Sequence, residues 1–411
     1  MAHVSGLRCI VCRKEQGLSD ALYVCPACGG NLEVVYDYRA LRKKLTRRAL
    51  ARNQDRNLWR YRDALPVGER AGLSVPQVGW TPLYDAPRLA RLAGVRRLFV
   101  KDDGRNPSAS FKDRANAVVL ARALELKVKV VTTASTGNAA SSLACLAAGL
   151  SLKTVIFVPE TAPEAKIAQL LVFGATVLTV RGTYDDAFDL CGWAAAEYGW
   201  YNRSTGVNPF TREGKKTAAY ELCEQLGWDV PDLVFVPVGD GNIISGMWKG
   251  FVELRELGLT RRLPRLVAVQ AAGSAAVKSA LEGDGIIRPV SGKTVADSIS
   301  VSRPRDGVAA VRAVRQSRGF AVAVSDAEIL AAIPELARGA NVFAEPAGAA
   351  AWAGLKKAAA AGRVASRCSV ALLVTGNGLK DVASARRSVG APFRVEPDLE
   401  SLKRLVRKLR I

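Results

Sequence analysis

The order of short apolar runs along the chain is the feature that most restricts its fold. From Thr81 onward, runs rich in β-branched residues alternate with alanine-rich stretches of helical length. Strands that alternate with helices form parallel sheets whose two faces are covered by helices. We therefore predict an α/β fold, with strands at 98–100, 128–132, 154–158, 176–180, 233–237, 266–270 and 370–374.

Four cysteines near the N-terminus have the spacing of a metal site. They follow the pattern C-x2-C-x12-C-x2-C, at Cys9, Cys12, Cys25 and Cys28. Each C-x-x-C turn presents two thiolates, and Zn²⁺ in structural sites takes four such ligands in a tetrahedron. Because four thiolates leave no position open for catalysis, we predict a structural zinc ribbon. His3 is the only histidine of the chain, which argues against a catalytic metal with several histidine ligands.

The composition of the 411 residues is typical of a globular protein with a large core, since 49% of them are hydrophobic. No apolar run reaches the roughly 18 residues of a membrane span, and the first residues lack the pattern of a signal peptide. We therefore expect a cytoplasmic protein with no membrane partner. The net charge of +21 is compatible with anionic substrates, nucleic acid or a charged surface. The basic tail, 402–409, has helical spacing that favours a solvated helix face.

A first candidate motif, NPSASFKDR at residues 106–114, follows the predicted strand at 98–100 and opens a helix. Lys112 would then lie in the first turn of that helix. The positive end of the helix dipole and partial burial lower the pKa of a lysine, which must lose its proton to form an imine. A solvated lysine near a helix cap is the alternative interpretation of this motif taken alone.

Three further motifs also follow predicted strands, where ligands bind in parallel α/β folds. TASTGNAASS at 133–142 offers hydroxyl and backbone N–H groups suited to a carboxylate, or else only a helix cap with a glycine turn. PVGDGNIISG at 237–246 is glycine-rich and could surround a phosphate, although such patterns also match by chance. TGNGLK at 375–380 places a hydroxyl at a strand end, or is a plain turn.

Together, in this order, the motifs resemble those of fold-type II pyridoxal-phosphate (PLP) enzymes, the tryptophan synthase β-chain family. Within that family the chain is similar to the threonine synthases that carry a zinc ribbon. The resemblance extends over essentially the whole chain, and SFKDR and STGN are its most specific parts.

The resemblance implies a role for each motif. Lys112 would carry PLP as a Schiff base, Asn138 would hydrogen-bond its phenolic oxygen and Thr375 would contact its pyridine nitrogen. A neutral hydroxyl there leaves the nitrogen largely unprotonated, which favours elimination or replacement over transamination. The remaining residues expected to bind PLP, through its phosphate, are Gly239, Asp240, Gly241, Asn242 and Ile243. Those expected to bind the substrate carboxylate are Ser135, Thr136 and Gly137.

The reaction implied by the resemblance converts O-phosphohomoserine and water into threonine and phosphate, with Lys112 as general base. The family usually has an arginine in N-P-x-R-x-E-G that would hold the substrate phosphate. Residues 208–214 read NPFTREG, so this arginine is displaced by one position. We take Arg212 and Lys215 as candidates for its role. Ala139 and residues 296–301 also depart from the family, again on the substrate side.

These departures leave other functions open. An enzyme that replaces the phosphate of O-phosphoserine, such as cysteate synthase, is one alternative. A threonine or serine ammonia-lyase is another, and it would need no substrate-phosphate site. A nucleic-acid-binding protein on an inactive PLP fold would explain the charge and the ribbon, but it would need none of Lys112, Asn138 and Thr375.

We predict four units along the chain. These are a zinc ribbon at 1–37, a helical linker at 38–69, a large PLP-binding α/β domain at 70–114 and 212–411, and a small inserted α/β domain at 115–211. The resemblance places PLP in the cleft between the α/β domains and implies a homodimer. We expect a small phosphorylated amino acid as substrate and no nucleic acid as partner.

Overall fold

The computed structural model describes residues 3–18, 23–68 and 75–411, and its strands form three sheets. A three-stranded antiparallel sheet at the N-terminus has the order β2-β1-β3. A six-stranded sheet has the order β12-β11-β10-β13-β5-β4, and a four-stranded sheet the order β8-β7-β6-β9. The strands are β1 (Val4–Cys9), β2 (Glu15–Gln16), β3 (Leu32–Tyr36), β4 (Leu83–Asp85), β5 (Arg97–Asp102), β6 (Val130–Ala134), β7 (Lys153–Pro159), β8 (Thr176–Val180), β9 (Tyr201–Asn202), β10 (Leu233–Pro237), β11 (Arg265–Ala271), β12 (Phe320–Val324) and β13 (Ser369–Val374).

Helices cover both faces of the six-stranded sheet, which explains why its strands are apolar throughout. In β10, Leu233 and Phe235 belong to one buried core, and Val234 and Val236 to the core on the opposite face. Only β4 runs antiparallel, at one edge. The helices are α1 (Tyr38–Lys44), α2 (Arg47–Arg52), α3 (Pro87–Ala93), α4 (Lys112–Glu125), α5 (Asn138–Ala147), α6 (Glu164–Val172), α7 (Tyr184–Tyr198), α8 (Phe210–Gln225), α9 (Asn242–Glu256), α10 (Ala276–Glu282), α11 (Gly307–Gln316), α12 (Asp326–Ala340), α13 (Pro346–Ala360), α14 (Val382–Arg387) and α15 (Leu399–Leu409).

The predicted α/β class is confirmed, and each of the seven predicted strands is present within two residues of its expected limits. Among the strands after Thr81, the prediction missed β4, β9 and β12. The first two have three and two residues, too few to show a period, and β12 alternates alanine with larger residues. In the described ranges, no helix combines the length and apolar character needed to cross a membrane. The division into four units remains a prediction.

Helix α8 contacts β3 of the antiparallel sheet, and α9, which packs on α8, contacts β10 and β11 of the six-stranded sheet. The four-stranded sheet is entirely parallel, so the carboxyl ends of β6 and β9 lie side by side. They face the carboxyl ends of β10 and β13 from the larger sheet across a cleft. The cysteine-bearing sheet packs behind α8, where Asn31 donates to the Asp306 carboxylate.

Candidate active site

The cleft between the two parallel sheets has a volume of about 530 Å³ and collects the predicted site residues. The loops after β6, β10 and β13 and the start of α4 all open on it, as expected for strand carboxyl ends. The predicted residues that line it are Lys112, Ser135, Thr136, Gly137, Asn138, Lys215, Gly239, Asp240, Gly241, Asn242, Ile243 and Thr375. Arg212 does not line it.

Lys112 is the first residue of α4, and its side chain points into the cleft. The backbone next to Lys112 is held in place, because the buried Phe111 donates its backbone N–H to the carbonyl oxygen of Thr375 at 2.9 Å. Burial lowers the pKa of Lys112, the carboxylates of Asp240 and Glu345 oppose this, and the cation of Arg203 adds to it. A lysine with a lowered pKa holds more neutral amine at neutral pH, which is the form that reacts with an aldehyde.

The glycine-rich loop after β10 lines the cleft and leads directly into α9. Gly241 has φ of +91°, and a Cβ there would lie 2.8 Å from the carbonyl oxygen of Asp306, so the residue must be glycine. The free N–H groups at the start of this 15-residue helix favour a phosphate. Asn242 is held by two contacts, since its Oδ1 accepts from Lys215 Nζ at 2.5 Å and its Nδ2 donates to Asp306 at 2.9 Å.

Asn138 begins α5 and faces Glu345 across the cleft. The Asn138 side-chain amide donates to both oxygens of Glu345, at 2.9 and 3.1 Å, and to the hydroxyl of Ser298 at 3.0 Å. Burial raises the pKa of Glu345, and the hydrogen bond from Asn138 and the charges of Lys380 and Lys112 oppose this. Asn138 and Glu345 therefore form a polar surface of the cleft opposite Lys112, and the Glu345 carboxyl is the group of this surface that can take up a proton.

Arg212 must be removed from the predicted substrate residues. Its guanidinium donates to both carboxylate oxygens of Asp306, at 2.7 and 2.8 Å, and to the backbone oxygen of Leu32 in β3. One step along a helix turns a side chain by about 100°, and here that step turns Arg212 from the cleft toward the cysteine-bearing sheet. The one-residue displacement seen in the sequence thus has a structural consequence.

Lys215 lies one turn further along α8 and does face the cleft. Burial, with the cations of Lys112 and Arg203 nearby, holds the pKa of Lys215 well below its usual value. Gly214 allows α8 to lie against α4, because a Cβ there would be 1.8 Å from the Arg114 carbonyl oxygen. The two helices that carry Lys112 and Lys215 are therefore in direct contact.

The sequence did not reveal several charged residues of the cleft. Arg203 follows β9, which is too short to be recognised from sequence. Glu345 precedes Pro346 at the start of α13, and the proline at the first position of a helix is a signal that could have drawn attention to it. Tyr184 and Arg305 also line the cleft without having been predicted, whereas Asp297 and Ser298 belong to residues 296–301, which the sequence analysis placed on the substrate side.

The four N-terminal cysteines form a second site, and none of them lines the cleft. Their Sγ atoms all lie within 4.8 Å of one another, with Cys9 and Cys28 at 3.5 Å and Cys12 and Cys25 at 3.7 Å. A tetrahedron with Zn–S bonds of about 2.3 Å has edges of about 3.8 Å. The two turns have the same geometry, with Arg13 and Gly29 at φ of 65° and 67°. The donor set and its spacing fit a tetrahedral thiolate-bound metal.

The fold and the cleft match a known class of enzyme. Residues 75–376 match the family described as pyridoxal-phosphate-dependent enzymes. The processed form of threonine deaminase isoform 2 from Solanum lycopersicum superimposes with a TM-score of 0.64 over 75% of this chain and 83% of that chain, at 23% identity. The architecture is thus that of a PLP-dependent enzyme.

The relatives in sequence are more specific than the fold. The threonine synthase of Methanocaldococcus jannaschii is 39% identical over 98% of this chain and 99% of its own length. The threonine synthase of Methanosarcina acetivorans is 36% identical over 97% of this chain and 98% of its own. The chain therefore belongs to the threonine synthases, within the family of pyridoxal-phosphate-dependent enzymes.

Proposed function

We propose that the protein converts O-phosphohomoserine and water into threonine and inorganic phosphate with PLP as cofactor. The observation that carries this proposal is the joint presence in one cleft of a half-buried lysine with a lowered pKa, a glycine-rich loop at a helix start and further buried cations. A reaction between a phosphorylated cofactor and a phosphorylated substrate needs two phosphate sites and a reactive amine. The relatives with this name support the assignment along nearly the whole chain.

The residues of the cleft would hold the cofactor in a defined orientation. Lys112 would bind its aldehyde, the loop of Gly239–Asn242 together with Ile243 its phosphate, and Asn138 its phenolic oxygen. Thr375, at the end of β13, would meet the pyridine nitrogen with a neutral hydroxyl. When bound, the cofactor supplies an electron sink that stabilises negative charge on the substrate carbons.

The substrate would lie between the cofactor and the four-stranded sheet. The loop Ser135–Gly137 after β6 would bind its carboxylate with hydroxyl and N–H groups. The Lys112 amine, once free, would take the protons from Cα and then from Cβ, and phosphate would leave from Cγ. The two protons would return to Cγ and Cα, while water would add its hydroxyl at Cβ and give its remaining proton to the released phosphate. The lowered pKa of Lys112 suits this role, because a base that is partly neutral at working pH can both accept and donate a proton.

The four cysteines would hold a structural Zn²⁺. The thiolate set, the tetrahedral spacing and the two matched turns support this metal rather than a hard cation, which prefers oxygen ligands. The homodimer and the cytoplasmic location stay predictions, with a small phosphorylated amino acid as the expected partner.

The test is phosphate release from PLP-loaded protein, with the amino-acid product identified by mass. O-phosphohomoserine is expected to give threonine and phosphate in equal amounts. O-phosphoserine with sulfite serves as the matched control, because it has the same functional groups on a chain one carbon shorter. Turnover of O-phosphoserine alone would reject the proposal in favour of a β-replacement enzyme. Ammonia release from threonine without phosphate turnover would reject it in favour of an ammonia-lyase.

A further inference from the structure

Arg203 lies at the edge of the four-stranded sheet where the carboxyl ends of its strands open on the cleft. It follows β9 directly, and its backbone N–H donates to the carbonyl oxygen of Thr132 in the adjacent β6 at 2.9 Å. The strand register pairs Asn202 with Thr132. Since neighbouring strands are about 4.8 Å apart, Arg203 lies beside the chain that leads into the Ser135–Gly137 loop.

The side chain of Arg203 is fully buried and lines the cleft. None of its three guanidinium nitrogens has a hydrogen-bond partner within the part of the chain that the structure describes. Burying a charge without a partner costs several kcal/mol, so proteins retain such a charge where a ligand completes it. Five N–H donors in a planar fork are suited to a phosphate or a carboxylate.

Other buried arginines within the described residues do not share this property. Arg60 pairs with Glu224 at 2.6 Å, Arg114 with Asp103 and Glu221 at 2.8 and 2.6 Å, and Arg212 with Asp306 at 2.7 Å. Each of them has a carboxylate from a neighbouring element. Among the same described residues, Arg203 has no hydrogen-bonded carboxylate, although its side chain is as fully buried as that of Arg114.

The surroundings keep Arg203 charged. Burial lowers its pKa to about 10, opposed by Tyr184, Cys191 and Asp240, so the guanidinium is protonated at neutral pH. The carboxylate of Asp240 accepts instead from the backbone N–H of Arg305 at 3.2 Å. Arg203 therefore presents a positive charge to the cleft with its hydrogen-bond donors unused by the described residues.

We propose that Arg203 binds the phosphate of the substrate and so takes the role of the arginine displaced to position 212. This inference rests on the proposed function. The cofactor phosphate has its own site at the start of α9, where Lys215 is fixed by Asn242. Arg203 belongs to the opposite sheet, which also carries the loop for the substrate carboxylate. One substrate can therefore reach both groups, with its phosphate on Arg203 and its carboxylate on the Ser135 loop.

The experiment compares Arg203→Met and Arg203→Lys with Arg181→Met, an exposed arginine of the same sheet region that serves as a charge-matched control. All proteins are loaded with PLP and kept in phosphate-free buffer. Three quantities are measured: kcat/KM for O-phosphohomoserine, inhibition by inorganic phosphate, and the Kd of PLP from cofactor absorbance.

We expect Arg203→Met to lower kcat/KM and to weaken inhibition by inorganic phosphate, each by at least ~100-fold, because a charge-assisted bidentate contact is lost. The Kd of PLP should stay within about twofold, as for independent sites. Arg203→Lys should lose about tenfold, because it keeps the charge but not the fork. Arg181→Met should match the wild type.

Thermal unfolding gives a readout that a structural role would not produce. Without phosphate, Arg203→Met should melt at a higher temperature than the wild type, since the buried unpaired charge is gone. Added phosphate should raise the melting temperature of the wild type and leave that of the variant unchanged. A lower melting temperature with unchanged phosphate inhibition would overturn the inference.

Two further outcomes separate the inference from the proposed function. A loss of PLP affinity as large as the loss of kcat/KM would overturn the inference and assign Arg203 to the cofactor phosphate. If the wild type does not turn over O-phosphohomoserine, the proposed function fails. Phosphate binding to the PLP-loaded wild type and variants then still decides whether Arg203 is an anion ligand.

Discussion

Two regions on either side of α8 contain buried charges: the junction, where α8 packs against the cysteine-bearing sheet around Asp306, and the cleft. The charges of the junction are paired, whereas a buried arginine of the cleft is not, within the ranges that the structure describes. At the junction, the Asp306 carboxylate accepts from Arg212, Asn31, Asn242 and Ser245, so each charge has a partner. In the cleft, Arg203 has no partner among the described residues. Paired charges specify how elements pack, whereas unpaired buried charges indicate where a ligand binds.

The largest expected effect concerns the reactive amine of the cleft. Lys112→Ala should reduce turnover of O-phosphohomoserine by at least ~10³-fold, because both the covalent anchor of the cofactor and the general base are lost. Absorbance of the protein-bound cofactor should also shift to that of free PLP. Lys129→Ala, an exposed lysine before β6, is the control and should retain full activity. Substantial activity in Lys112→Ala would contradict the assignment of this lysine.

At the junction, breaking one pair should affect stability more than chemistry. Arg212→Met leaves Asp306 buried without its cation, and we expect a loss of about 3–5 kcal/mol in the free energy of unfolding, measured by urea titration. Arg288→Met breaks an exposed pair with Asp284 and should change stability little. If Arg212→Met lost phosphate binding while its stability stayed unchanged, Arg212 would be a phosphate-binding residue rather than a structural one.

Changes at the cysteine-bearing sheet should have a smaller effect, on the PLP affinity of the glycine-rich loop. Asn31 donates to Asp306, and Asp306 holds Asn242. Asn31→Ala should cost about 1 kcal/mol of stability and weaken PLP binding by up to ~5-fold, measured from cofactor absorbance. Removal of zinc by a chelator should weaken PLP binding in the same direction, and added zinc should restore it. Unchanged PLP affinity after metal loss would show that the two sites are independent.

The smallest effect is a pH dependence from Glu345. Its pKa is raised in the folded protein, so the folded state holds this proton more tightly than the unfolded chain does. The stabilising contribution of the protonated form is complete below the unfolded pKa, and it is lost as pH rises through the folded pKa. The free energy of unfolding of Glu345→Gln minus that of the PLP-free wild type should therefore increase as pH rises from the unfolded pKa to the folded pKa of Glu345, and should be constant above it. A difference that does not vary with pH would refute the raised pKa.

The sequence was a good guide wherever a motif followed a strand long enough to recognise. Asn138, Asp240 and Thr375 come within a few residues of the ends of such strands, Lys112 follows β5 by ten residues, and all four line the cleft. Local sequence patterns of this kind predict both the fold and the loop proposed to bind the cofactor phosphate, because strand ends in a parallel sheet converge on one edge.

The remaining site residues depend on geometry that no local pattern contains. Arg212 was wrongly expected in the cleft because the sequence cannot show which way the first turn of α8 faces. Arg203 was missed because β9 is only two residues long and takes its place from pairing with β6. Whether a buried arginine has a partner is decided by distant segments, as Asp306 is for Arg212.

The backbone hydrogen bond from Phe111 to Thr375 has a consequence for how this catalyst can diversify. It joins the segment that carries Lys112 to the segment that carries the Thr375 hydroxyl, and Asn377 N–H to Ala109 O adds a second link at 3.0 Å. In the proposed binding mode, Lys112 and Thr375 would meet opposite ends of the cofactor ring, so the distance between them would be set by main chain rather than by side chains. Point substitutions can hardly alter that distance, so new substrate preferences should arise by exchange of residues on the opposite, four-stranded wall.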